Sequence, residues 1–331
     1  MEDLKTIVFE ELKSKKDDPF FRILTAENSS KLIYTIIERL IDNGKINPNK
    51  KEAGEVIFLE APTGAGKDAI FLQLVHENPE KNYIELNLDM FRKYYVRYFT
   101  NNQIFNDKDY VRMTNQFTYE MFTILQEILL KYFPSTNIVI TGSLRETEWN
   151  ENFMRIYKQN NYKVSLVTVT ISRQEGLYSI IKRYLELVDK KRQEPNFKNG
   201  TVRYTSYSYF NETHEKFIDN FAYFVDLYNA SPGELIDTIK VYRRNKDLKE
   251  FKDDNLVYSS DINPTDNPLL SVIKLRDAEY EVKEQDLSYI FSLIQKNREY
   301  LEEQGTLKDL LLTIAALTST EKLYENKKRT I

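Results

Sequence analysis

No cysteine occurs in this chain. Disulfides and thiolate metal sites are thereby excluded, and the absence fits an intracellular protein. Histidine is almost missing as well. His76 and His214 stand alone, too few and too far apart to make a zinc site. Glycine and proline number 9 each in 331 residues, a scarcity that suits a helix-rich chain with few loops. No apolar run approaches the roughly 20 residues that a membrane span needs. The opening "MEDLKTIVFEELKSKKDD" has neither a long apolar run nor a small-residue cleavage site, so no signal peptide is read. The cytoplasm is the expected compartment. A basic excess is also lacking: formal net charge is −4, which argues against a general affinity for nucleic acid.

What is present is length enough for a sizeable core and a recurring alternation of strand and helix signals. "SSKLIYTIIERLIDNGK" carries Leu32, Ile33, Ile36, Ile37, Leu40 and Ile41 at helical period, with Ser29 or Ser30 as start and Gly44 as stop. The runs 56–60, 83–88, 137–142, 163–171 and 238–244 read as strands, the apolar ones as strands buried on both faces. Residues 112–131, "GLYSIIKRYLELVDKKR" and "HEKFIDNFAYFVDLYN" read as helices. The alternation predicts an α/β fold: a parallel sheet flanked by helices. Residues 1–50 form a helical N-terminal segment, 51–260 the α/β unit, and 261–331 a helical C-terminal extension with amphipathic stretches at 284–304 and 307–317.

One loop carries the strongest chemical signal. "EAPTGAGKDAI", residues 60–70, is two letters from the phosphate-loop pattern G-x-x-x-x-G-K-[ST]. Ala61 stands in place of the first glycine and Asp68 in place of the hydroxyl residue. Pro62, Thr63, Gly64, Ala65, Gly66, Lys67 and Asp68 form the candidate nucleotide cradle. Backbone N–H groups and a helix N-terminus would wrap the phosphates, and Lys67 would add a point charge. Asp68 would meet Mg²⁺ as a carboxylate rather than a hydroxyl. The plainer reading of 60–70 is a tight turn into a helix.

Further polar and charged candidates lie along the chain, some just past strand ends, where α/β sheets bind ligands. Asp89 follows the second strand. Ser143 and Arg145 follow the third. Arg183 and Arg203 come from a helix and a loop.

The series as a whole resembles the zeta toxin family. The resemblance rests on the phosphate loop, then Asp89-Met90-Phe91-Arg92, then Glu120 on the 112–131 helix. It continues through Thr141-Gly142-Ser143-Leu144-Arg145, Ile181-Lys182-Arg183-Tyr184, and Arg203 ahead of His214. "KVYRRN" and "LVYSS" resemble the family's late strand hairpin. Thr141 departs from the family pattern, which often has glutamate there, and Arg192 competes with Arg203 for the loop-arginine role. The match covers roughly 50–260.

The resemblance implies a P-loop kinase-like fold and phosphoryl transfer from ATP or GTP, with Mg²⁺, to a sugar hydroxyl of UDP-N-acetylglucosamine. Asp89 is the implied base, with Lys67, Arg183 and Arg203 as cations around the phosphoryl group. Glu120, Ser143 and Arg145 are the implied substrate contacts. A small helical antitoxin is the implied partner, and the helix at 29–43 is a candidate part of its docking surface. Plainer roles stay open for each. Asp89 and Ser143 are also placed to cap helices. Arg183 has Glu186 and Asp189 as helical neighbours to pair with, and Glu120 has a solvent face open to it. Two function classes follow: a small-molecule kinase, or a nucleotide-binding or interaction protein in which Ala61 and Asp68 have ended turnover. Relatives of this fold that phosphorylate other nucleotides or NAD leave the acceptor open.

Overall fold

A computed structural model describes residues 3–50, 52–99, 106–194, 202–244, 255–278 and 280–328. Residue 51, where the α/β unit is expected to begin, lies outside them. The sheet strands are β1 (Glu55–Glu60), β2 (Ile84–Leu86), β3 (Ile138–Gly142), β4 (Lys163–Thr170), β5 (Thr238–Arg243) and β6 (Leu256–Ser259). They lie side by side in the order β2-β3-β1-β4-β5-β6. All neighbours are parallel except β5 and β6, whose antiparallel pairing is the late hairpin expected from the sequence.

The strand residues explain the layers. Successive side chains on a strand point to opposite faces. Val56 and Phe58 join one core with Ile138, Ile140, Val164 and Leu166. Ile57 and Leu59 join another with Val139 and Val167 on the opposite face. Both faces are covered, which is why these strands read as continuous apolar runs.

The helices around the sheet are α1 (Leu4–Ser14), α2 (Ala26–Asp42), α3 (Lys67–Glu77), α4 (Leu88–Phe99), α5 (Tyr110–Tyr132), α6 (Thr147–Gln159), α7 (Arg173–Gln193) and α8 (Tyr207–Ala230). The α2 stripe, with Leu32, Ile33 and Ile37 buried, packs into the chain's own core. Its start lies earlier than the serines suggest. Thr25 caps it in a reciprocal capping box with Asn28, and Ser29 is buried inside the helix. Gly44, at φ 68°, ends it as expected.

The C-terminal extension contributes α9 (Pro268–Arg276), α10 (Glu284–Lys296), α11 (Arg298–Glu303) and α12 (Leu307–Lys328). Helices α10 to α12 build a separate core with α7: Ile181, Tyr184, Leu185 and Val188 meet Ile290, Leu293, Leu301 and Leu310. Two further residues of that core, Val202 and Tyr204, belong to the segment leading into α8.

Candidate phosphoryl-transfer site

Strand β1 ends at Glu60 and α3 begins at Lys67. The chain must turn sharply between them, and Gly64 and Gly66 do so at φ 87° and 91°, where a side chain is strained. A Cβ on Gly64 would also lie 2.7 Å from the Gly176 carbonyl oxygen of α7. Ala61 is fully buried and is not among the positive-φ residues, so alanine replaces glycine there without strain. The loop is held from outside as well. His214 Nε2 lies 2.9 Å from the Thr63 carbonyl oxygen, and the Thr213 hydroxyl donates to the Thr63 hydroxyl at 3.1 Å. Burial lowers the His214 pKa to about 4, so the ring is neutral at pH 7 and its Nε2–H donates to Thr63.

Lys67 is half-buried and its Nζ donates to the Ala61 carbonyl oxygen at 2.9 Å. Burial pushes its pKa down; Glu60 and Asp68 oppose that, while Arg183 and Arg203 add to it. Asp68, Arg183 and Arg203 therefore all lie within electrostatic reach of Lys67. Asp68 is exposed at the first turn of α3. Arg183 is exposed to water, yet protein lies around it, and that desolvation lowers its pKa against the attraction of Asp68. Among the described residues its helical neighbours are otherwise engaged: Glu186 pairs with Lys182 and Asp189 with Lys296.

Asp89 lies in the first turn of α4, just past the end of β2. It is not the helix cap. Asn87 fills that role, its side-chain oxygen accepting the Asp89 N–H at 2.9 Å. The Asp89 carboxylate is gripped on both sides, by Arg203 and by Arg92 Nε at 2.7 Å. Arg92 is nearly buried and ties α4 to α5 through the Val111 carbonyl at 3.0 Å and the Thr114 hydroxyl at 2.6 Å. Arg192 takes no part; it donates to the Lys296 carbonyl oxygen at 2.8 Å, among the C-terminal helices. Of the two arginines, Arg203 is the one that meets Asp89.

Past β3, Leu144 adopts φ 51° and donates its N–H to Glu60 Oε2 at 2.5 Å. Asn220 of α8 clamps the carbonyls of Leu144 and Arg145 at 2.7 and 2.9 Å. Ser143 sits half-buried in this clamped loop and does not cap α6, whose N-cap is Glu146. Arg145 packs over the Tyr209 ring at 5.6 Å and pairs with Glu146 at 2.9 Å.

Glu120 does not face solvent, the plainer role open to it. It is fully buried, and its carboxylate accepts the backbone N–H groups of Arg22, Ile23 and Leu24 at 2.7 to 3.2 Å, with Gln116 adding a fourth donor at 2.8 Å. Both oxygens are used in anchoring the segment between α1 and α2. That role does not support the expected substrate contact.

Two groups at the site escape a reading by motif. Glu85 of β2 accepts from the Thr141 hydroxyl at 3.2 Å, and Asp68 is near enough to help burial raise its pKa. A carboxylate therefore stands beside Thr141 after all, supplied by the neighbouring strand. Tyr209 lies within electrostatic reach of Arg92, Arg145 and Arg203. Period 2 along β2 gave some signal for Glu85, because Ile84 and Leu86 are buried on the other face; nothing local singled out Tyr209. No group of three or more His, Asp or Glu poised to hold a metal exists among the described residues. Asp68 with Glu85 does fit a Mg²⁺ ion that takes one or two carboxylates and completes its shell with phosphates and water.

Comparison with known proteins addresses the family and the fold. The family model described as Zeta toxin matches residues 37–256. No curated protein matches the chain in sequence. A solved structure from the PezAT chromosomal toxin–antitoxin system of Streptococcus pneumoniae is similar at a TM-score of 0.58 and 18% identity, covering 85% of this chain and 98% of that one. The structure of AvrRxo1-ORF1:-ORF2 with ATP is similar at a TM-score of 0.54 and 13% identity, covering 88% and 89%. At such identities the likeness is one of fold.

Proposed function

The chain belongs to the zeta toxin family, and on that premise we propose that it is a cytoplasmic small-molecule kinase. It transfers the γ-phosphoryl group of ATP or GTP to a sugar hydroxyl of UDP-N-acetylglucosamine or a related nucleotide sugar, and the product blocks cell-wall synthesis. One observation carries the reading: Asp89 is held against Arg203 at the same sheet edge where Lys67, Asp68 and Arg183 meet. A loop that only bound nucleotide would need none of the distant charges.

Phosphoryl transfer is mostly positioning and charge stabilisation. The loop N–H groups and the α3 N-terminus receive the β-phosphate. Lys67 leaves the Ala61 carbonyl and moves onto the β- and γ-oxygens. Arg183 and Arg203 spread over the charge that grows on the transferred group. Asp89, released from Arg203 as that arginine turns to phosphate, takes the proton of the acceptor hydroxyl. Ser143 and Arg145 lie beside that edge and hold the acceptor. Asp68 and Glu85 would hold Mg²⁺, which would supply charge neutralisation at the phosphates.

The PezAT structure is described as part of a toxin–antitoxin system, and a small helical antitoxin is the partner proposed here. The buried α2 stripe leaves that helix little apolar surface to offer it.

The test is a scan of nucleotide-sugar acceptors with γ-labelled ATP and GTP. Label should pass to at least one UDP-sugar. Nucleotide that binds but labels no sugar, nucleotide or NAD acceptor would contradict a kinase and favour a binding protein.

A further inference from the structure

Arg203 does not lie on a helix or a strand. It sits in a short irregular strap, residues 202–206, ahead of α8, and nothing within the strap fixes its guanidinium. Its two neighbours are the fixed points. Val202 and Tyr204 are 1% and 8% exposed, and both are buried in the core formed by α7 and the C-terminal helices. Arg203 between them faces Asp89 instead. A residue flanked by two anchored neighbours, with its own side chain turned the other way, is held as in an extended chain.

The anchors are specific. The Tyr204 hydroxyl donates to Asp309 Oδ2 of α12 at 2.7 Å, and its ring meets the Tyr184 ring edge-on at 4.9 Å. The Tyr204 N–H donates to the Asp107 carbonyl oxygen at 3.4 Å. Asp107 is itself fully buried. Its carboxylate accepts from Tyr184 at 3.2 Å and from Tyr300 at 2.9 Å, and Lys191 lies 3.6 Å away. Its backbone N–H donates to the Gln304 side chain at 2.9 Å. A buried carboxylate with this many donors fixes the geometry of everything that meets it. Here α7, α11 and the residue after it, and the segment ahead of α5 all converge under the strap.

We infer that the C-terminal helices are a brace for the site: they hold the backbone at Arg203 so that its side chain stays at the edge shared by Asp89 and the phosphate loop, with Tyr204, Asp309 and Asp107 as positioning residues. The inference rests on the proposed role of Arg203. Residues 261–331, outside the matched family region, thereby gain a part in the reaction without touching substrate.

The experiment uses the full chain with Tyr204→Phe, Asp309→Asn and Arg203→Ala, singly and combined, with UDP-N-acetylglucosamine and ATP as probes. Tyr204→Phe and Asp309→Asn should each lower kcat about tenfold, since small misplacements of a reacting group cost that much or more. KM for ATP and the thermal midpoint should hold. Added to Arg203→Ala, neither should lower kcat further, because a residue acting through another shows full coupling. Equal losses in both backgrounds, or no loss in the single variants, would overturn the brace. Arg203→Ala with wild-type turnover would instead overturn the role of Arg203 itself. A readout without turnover is deuterium exchange at the residue 204 amide. Asp309→Asn should speed it about tenfold by local opening; unchanged exchange also overturns the brace.

Discussion

The phosphate loop and the arginine strap meet at one site but are built by opposite means. The loop is local. Two glycines at positive φ, a strand before and a helix after specify it within residues 60–68. The strap is made at a distance, by Tyr204 on Asp309 and by the backbone on Asp107. Local backbone geometry leaves a sequence signature. Long-range side-chain contacts leave none until the chain is folded. The same division explains Glu120, whose partners at Arg22 to Leu24 lie far away in the sequence.

The widest break in the comparison is expected at Glu120. Glu120→Ala leaves three backbone donors without their acceptor, that of Leu24 buried and those of Arg22 and Ile23 partly so, and a buried unsatisfied donor costs about 1–3 kcal/mol. Denaturant unfolding should show a loss of about 3 kcal/mol, while the KM for the sugar acceptor of the folded fraction stays put. A raised acceptor KM at unchanged stability would return Glu120 to the substrate site.

Lys67 comes next and probes the local half. Lys67→Ala removes a charge-assisted phosphate contact of about 1.5–3 kcal/mol, so calorimetry should find ATP and GTP affinity down by one to two orders of magnitude. Unchanged affinity would reduce 60–70 to a tight turn.

The smallest effect asks whether the loop is wholly local, and it turns on His214. Its folded pKa of about 4 lies below the ordinary value of 6.5. Between these values the unfolded chain binds more protons, so stability rises with pH across that window and is lost as pH falls through it. His214→Phe should flatten that slope by a few degrees in thermal midpoint. A slope that survives the substitution would assign the acid sensitivity to another group.

Much of the fold was legible because it is periodic. Val56 to Glu60 and Lys163 to Thr170 are strands buried on both faces, and they read as apolar runs. Lys67, Asp68, Asp89, Arg183 and Arg203 were legible as an ordered series, and the structure brings them together. The α2 start is not legible, because a threonine–asparagine capping box competes with two serines that look equally suitable. Glu85 and Tyr209 stayed hidden because their neighbours come from another strand and from three separate elements. Chemistry assembled across the sheet edge has no spacing in the sequence.

Asp89 joins the two halves, since it follows β2 locally and meets Arg203 from the strap. The most direct measurement is Asp89→Asn, with nucleotide Kd and single-turnover transfer to UDP-N-acetylglucosamine read on one preparation. Nucleotide affinity should match the wild type, and the transfer rate should fall by about 10²–10⁴, the worth of a positioned general base. Transfer at the wild-type rate would contradict the assembled site and leave only a nucleotide-binding loop.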